Sequence, residues 1–132
     1  MYEFHGWMML AESPSEVDAG GLSTKVEQVR ATMRALTWAS AFAELRVLNG
    51  RVMLLVHGYL NRRRAEAGEV VDLIKAVSAL LPGSYGLLYE LDEEVETEDG
   101  RAAFSVTVIK RGGCFGASDP FLSPTIPTIE DP

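Results

Sequence analysis

The sequence predicts an α+β protein: one mostly antiparallel five-stranded sheet with two helices on one face. Three observations predict it. Two stretches repeat apolar residues every three or four positions, the period of a helix laid on a core. Five shorter stretches are apolar or alternate, bounded by turn residues, as strands are. Their order is strand, helix, strand, strand, helix, strand, strand. The first six elements of that order make a ferredoxin-like unit, in which strands one and three are neighbours.

The first strand is expected over Tyr2 to Glu12, where Tyr2 and Phe4 alternate with Glu3 and His5. Ser13-Pro14-Ser15-Glu16 has the form of a helix start, with Pro at the first helical position. Asp18-Ala19-Gly20-Gly21 breaks it, and Thr24-Lys25-Val26-Glu27 offers a second capping box. The main helix is expected from about Lys25 to Trp38, with Val26, Val29, Met33 and Leu36 on one face. Strands over Phe42 to Leu48 and Val52 to Leu60 flank Asn49-Gly50. That dipeptide marks a two-residue hairpin, because both central positions need positive φ. Asn61 is a candidate cap for a helix over Ala65 to Leu81. Val70, Leu73, Ile74, Val77 and Leu80 recur at its core spacing, and Pro82-Gly83 ends it. Strands follow at Tyr85 to Leu91 and Ala102 to Lys110, joined by the acidic stretch Glu93 to Gly100. From Gly112 the pattern stops. Asp119 to Pro132 holds four of the six prolines, so residues 112–132 read as an extended Pro-rich C-terminal strap on one domain spanning 1–132.

The composition, 47% hydrophobic and 23% charged over 132 residues, is that of a folded globular chain large enough to bury a core without a staple. Twelve basic residues stand against nineteen acidic ones, for a net charge of -7. Nucleic-acid binders draw most of their affinity from neutralising phosphate, so this balance argues against nucleic acid. It favours a basic partner. One cysteine, Cys114, cannot form an internal disulfide, which fits a reducing compartment. The opening residues have no signal-peptide form, and the longest uncharged run is too short to cross a bilayer. A cytoplasmic chain with no membrane partner is expected.

Two surfaces are candidates for partner binding. The first is acidic: Glu90, Asp92, Glu93, Glu94, Glu96, Glu98 and Asp99 are seven acids in ten residues, and the rest of the chain is formally neutral. It reads either as a solvated, solubilising loop or as a docking surface for a cationic partner. The second comes from alternation. Glu3, His5 and Trp7 on strand one, with His57 and Tyr59 on strand three, can share the sheet face opposite the helices. They read either as cover for the sheet or as an aromatic and polar binding face. Two histidines and a glutamate could in principle ligate zinc, but their spacing matches no zinc signature, so no metal is assigned.

Other features carry less. Cys114, in Gly112-Gly113-Cys114-Phe115-Gly116, has no base near it in sequence and reads as a small hydrophobe rather than a nucleophile. Those glycines are not followed by Lys-Ser/Thr and make no phosphate loop. Arg62-Arg63-Arg64 precedes the second helix, where cations are mildly unfavourable. In the tail, Phe121, Leu122, Ile126 and Ile129 either pin the strap to the body or form part of a partner-facing edge. No carboxylate pair, triad or metal motif suggests an enzyme, and no cofactor is implied.

Several strings are more specific. Glu3-Phe4-His5-Gly6-Trp7, Pro82-Gly83-Ser84-Tyr85-Gly86-Leu87-Leu88-Tyr89, and Asp119-Pro120-Phe121-Leu122-Ser123-Pro124 continued by Ile126-Pro127-Thr128-Ile129-Glu130-Asp131 resemble the immunity protein 7 family of bacterial polymorphic toxin systems. Asn49-Gly50 and Asn61-Arg62-Arg63 fall where relatives have a hairpin and a polar helix start. The resemblance spans nearly the whole chain. It implies a small α+β protein, encoded beside a toxin gene, that binds the cognate toxin domain and protects the producer and its kin. A basic nuclease is one kind of toxin that the acidic hairpin would suit. Thr125 stands where many relatives have Cys, and Arg62 where His is frequent; if those positions touch the toxin, a different specificity is expected of this member. The expected state is a monomer or homodimer. The competing reading is a nucleic-acid-binding or generic protein-interaction domain.

Overall fold

A computed structural model describes residues 1–13, 20–95, 100–125 and 129. The elements run β1 (Tyr2–Leu10), α1 (Leu22–Arg34), β2 (Ala41–Leu48), β3 (Arg51–Leu60), α2 (Ala65–Leu80), β4 (Tyr85–Asp92), β5 (Ser105–Lys110) and β6 (Gly113–Ser118). All strand pairs are antiparallel, in the order β2-β3-β1-β4-β5-β6. The first and third strands are therefore adjacent, as the element order led one to expect.

Alternation along β1 sets the two faces. Tyr2, Phe4, Met8 and Leu10 are buried, with Leu54, Val56 and Leu60 of β3, Leu88 of β4 and Ile109 of β5. Val26 and Val29 of α1 and Ala67, Val70, Leu73, Ile74 and Val77 of α2 close the same cluster. One core thus lies between the sheet and both helices, which is where apolar burial stabilises the fold. The other face carries the odd residues of β1. No described helix is long and apolar enough to cross a membrane.

The sheet has six strands, not five. The expected strap from Gly112 begins instead with β6, which pairs with β5 over Ser105↔Ser118 to Lys110↔Gly113. Arg111 (φ 53°) and Gly112 (φ 74°) make the two-residue turn. The Gly-rich string hid this strand because its backbone makes the ladder while its side chains carry little β-propensity. Beyond β6 the described tail from Asp119 is bent rather than extended, and Ile129 N–H donates to the Thr125 carbonyl at 2.7 Å as in a helical turn. The tail docks by polar contacts: Phe104 N–H donates to Ser123 Oγ at 2.8 Å and Thr125 N–H to the Ala102 carbonyl at 3.0 Å. Phe121 and Leu122 are exposed, so they do not pin it.

Helix ends also moved. α1 begins at Leu22 with Gly21 as its N-cap, and neither Thr24 nor Asn61 caps a helix; Arg64 precedes α2. Neither cap makes a side-chain hydrogen bond, so tertiary packing sets these ends. α1 stops at Arg34, and Leu36 and Trp38 pack on the core from the following loop. Most of the expected helix start at Ser13-Pro14-Ser15-Glu16 lies outside the described residues, as do Ile126 of the tail and Glu96, Glu98 and Asp99 of the acidic hairpin. The Asn49-Gly50 turn is as expected, with φ of 50° and 77°.

Candidate partner-binding surface

The antiparallel register of β1 on β3 sets Glu3 opposite Tyr59 and His5 opposite His57. The hairpin register sets Phe42 of β2 opposite His57 in turn. All five side chains singled out on these strands therefore lie on the face away from the helices. Gly58 allows this arrangement from beneath: a Cβ there would collide with the Phe4 ring, which fills the space under the strand.

The polar contacts on this face form a short chain. His5 Nε2 lies 2.7 Å from Glu3 Oε2, and His5 Nδ1 lies 3.2 Å from His57 Nδ1. A carboxylate only accepts, so His5 Nε2 carries the hydrogen and donates to Glu3. One Nδ1 of the two rings must then donate and the other accept, the direction following whichever ring carries the hydrogen there. Two cationic rings would point hydrogens at each other, so the pair holds at most one charge in this geometry. Burial, and then the neighbouring His5 charge, lower the His57 pKa below its ordinary 6.5. The Phe42 ring sits 5.3 Å from His57, centroid to centroid.

A cleft of about 410 Å³ opens here. His5, Phe42, His57 and Tyr59 wall it, with the chain at Ala39 to Ala41 and at Gly58. Further along, Trp7 meets Tyr85 of β4 edge-to-face at 6.0 Å, both partly exposed. Exposed aromatic rings beside polar groups are the residue types that dominate binding energy at protein interfaces.

The acidic hairpin is not one surface. Glu90 lies within β4 on the helix side, where Tyr2 O–H donates to its Oε1 at 2.6 Å. Burial first, and this hydrogen bond second, push the Tyr2 hydroxyl far above its ordinary pKa. Asp92 Oδ1 accepts from Glu94 N–H at 3.0 Å. The N-terminal ammonium pairs with Glu93 at 3.0 Å, and Glu93 N–H donates to the Met1 carbonyl. Among the described acids of the hairpin, Glu93 and Glu94 are the exposed ones. The hairpin is clasped to the start of β1, and Glu3 lies opposite Leu91 beside it. The acidic group and the histidine cleft thus neighbour one another along β1.

Phe42 and Tyr85 belong to this surface and were not singled out. For Phe42 a signal existed: a two-residue turn at 49–50 forces it opposite His57 by counting back along the hairpin. Cys114 is half-buried on the core side, opposite Ile109, so the sheet separates it from both histidines. Arg63 sits over the Tyr2 ring at 5.7 Å, while Arg62 and Arg64 are exposed. Thr125 is buried against the segment before β5. Among the described residues, no group of three or more His, Cys, Asp or Glu could hold a metal ion.

No curated protein and no solved structure matches the chain. A family match does exist, to Immunity protein 7, and it runs over residues 1–131. The match covers essentially the whole length, and the chain belongs to the Immunity protein 7 family.

Proposed function

We propose that this protein binds and neutralises a cognate toxin of a bacterial polymorphic toxin system, in the cytoplasm of the producing cell and its kin. The observation that carries the reading is the family match over the whole chain. The mechanism is stoichiometric occlusion, with no turnover and no cofactor. The open face of β1 and β3, with Glu3, His5, Trp7, His57 and Tyr59, supplies the aromatic and polar contacts, and Phe42 and Tyr85 extend it. The acids of the hairpin steer a basic toxin such as a nuclease toward it: Glu93 and Glu94, which are exposed, with Asp92 at its base, and Glu96, Glu98 and Asp99, which follow in the sequence. Glu90 supports the hairpin from the inner side through Tyr2.

The test is co-expression with the toxin domain encoded by the adjacent gene. Cells carrying the wild-type chain survive, and Trp7→Ala with Tyr59→Ala weakens protection while the protein stays folded. Loss of viability despite abundant wild-type protein would sink the reading for that pair.

A further inference from the structure

The sheet has two edges, and the chain treats them differently. β6 is six residues long, carries Gly113 and Gly116, and runs into Asp119-Pro120. Short, Gly-containing edges of this kind resist pairing. β2 is eight residues of AFAELRVL, with no glycine, proline or lysine. It leaves Phe42, Val47 and Leu48 50%, 65% and 52% exposed. Among the described residues its one hydrogen-bonded neighbour is β3.

We propose that the free edge of β2 pairs antiparallel with β2 of a second copy of this chain, about a two-fold axis through Leu45. Two strands of one continuous sheet must match faces, so opposed residues share parity. Only a few registers meet that condition. With Leu45 opposite the partner's Leu45, Glu44 faces the partner's Arg46 and Arg46 faces the partner's Glu44. Phe42 then faces the partner's Leu48, and Ala43 faces the partner's Val47. The exposed apolar residues are thus covered in the register that pairs opposite charges. Shifting the axis to Glu44 sets Glu44 against the partner's Glu44, and shifting it to Arg46 sets two arginines together. Opposite charges across strands stabilise and like charges destabilise. Glu44 and Arg46 already pair within the strand at 2.7 Å, on the same face, so the dimer builds a four-charge cluster.

Long-range charge does not oppose this. The whole formal excess of -7 sits in the Glu90–Asp99 decade. β4 is three strands from β2, and across the dimer the two β4 strands are seven spacings apart. At about 4.8 Å per strand that is roughly 34 Å, well beyond the Debye length of about 8 Å at physiological salt. The open face of β1 and β3 stays uncovered in both copies, and Phe42, at its rim, is the one residue the two surfaces share.

Sedimentation velocity over a wide concentration range tests it. The wild-type mass rises from 14.4 kDa toward twice that value. Glu44→Arg and Arg46→Glu each weaken self-association about tenfold, since two cross-strand pairs turn repulsive. An equimolar mixture of the two variants restores a dimer with one copy of each, because one β2 is then all cationic and the other all anionic. Val47→Lys, on the strand's other face, also weakens association, and circular dichroism confirms that each variant is folded. A wild-type chain that stays monomeric, or folded variants that associate as the wild type does, or a mixture that fails to pair, overturns the proposal. Toxin protection is scored separately, so either idea can fail alone.

Discussion

At the scale of single residues, protonation makes His57 and Asp119 sensitive to pH in measurable ways. His57 has its pKa lowered by folding, chiefly through burial and then through His5. The unfolded chain therefore takes up that proton first as pH falls. Its contribution to stability is complete above about pH 6.5 and is lost as pH drops toward the folded value. Urea midpoints are expected to fall between roughly pH 7.5 and 5.5, and to fall less in His57→Gln. Asp119 runs over a different window. Burial by itself would raise its carboxyl, but hydrogen bonds from Phe121 N–H, Leu122 N–H and Ser123 O–H outweigh that and hold it below the usual carboxylate range. Its contribution is present above about pH 3.8 and is lost as pH falls through the depressed value. Asp119→Ala leaves the Phe121 and Leu122 amides without that acceptor and frees Ser123, which holds Phe104. A loss of about 1–3 kcal/mol in denaturant unfolding is expected.

At the scale of elements, the β2–β3 hairpin illustrates how two residues place a site. Asn49 and Gly50 both take positive φ, and their turn puts Leu48 opposite Arg51 and Phe42 opposite His57. Replacing both with Ala costs roughly 1–2 kcal/mol for each residue forced into the left-handed region. Proteolysis and thermal unfolding read the loss, and the His5–His57 contact weakens as the register loosens. β6 shows the reverse case. Its side chains do little, yet it turns β5 from an edge into an inner strand. Amide exchange in β5 is therefore expected to be slow in both hydrogen-bonding directions, and β6, together with β2 at concentrations where the chain is monomeric, is expected to exchange first.

At the scale of the whole molecule, charge and shape are distributed unevenly. Asp92, Glu93 and Glu94 lie at one end of the β1–β4 pair, beside the open aromatic face, while Arg63, just before the second helix, and Lys75 within it line the core-side rim near Glu90. A basic partner is thereby drawn to one region rather than to the molecule as a whole. The toxin association rate is expected to fall steeply as salt rises, and neutralising Glu93 and Glu94 should flatten that dependence with little effect on the dissociation rate. A rate indifferent to ionic strength, measured by stopped-flow mixing, would count against electrostatic docking.

The chain's own pattern determined the element order, both helix faces, the Asn49-Gly50 turn and the adjacency of β1 and β3, because each rests on local periodicity or backbone preference. It also placed Glu3, His5, Trp7, His57 and Tyr59 on one face, since alternation along a strand survives folding unchanged. The tertiary structure decided what depends on partners distant in sequence. β6 exists because β5 offered a ladder to a string of weak β-formers. α1 and α2 begin where packing, not a capping side chain, sets their ends. Glu90 left the acidic group because its carboxylate found the buried Tyr2 hydroxyl 88 residues away. Whether a side chain meets solvent or a partner is fixed by long-range register, and no local pattern carries that information.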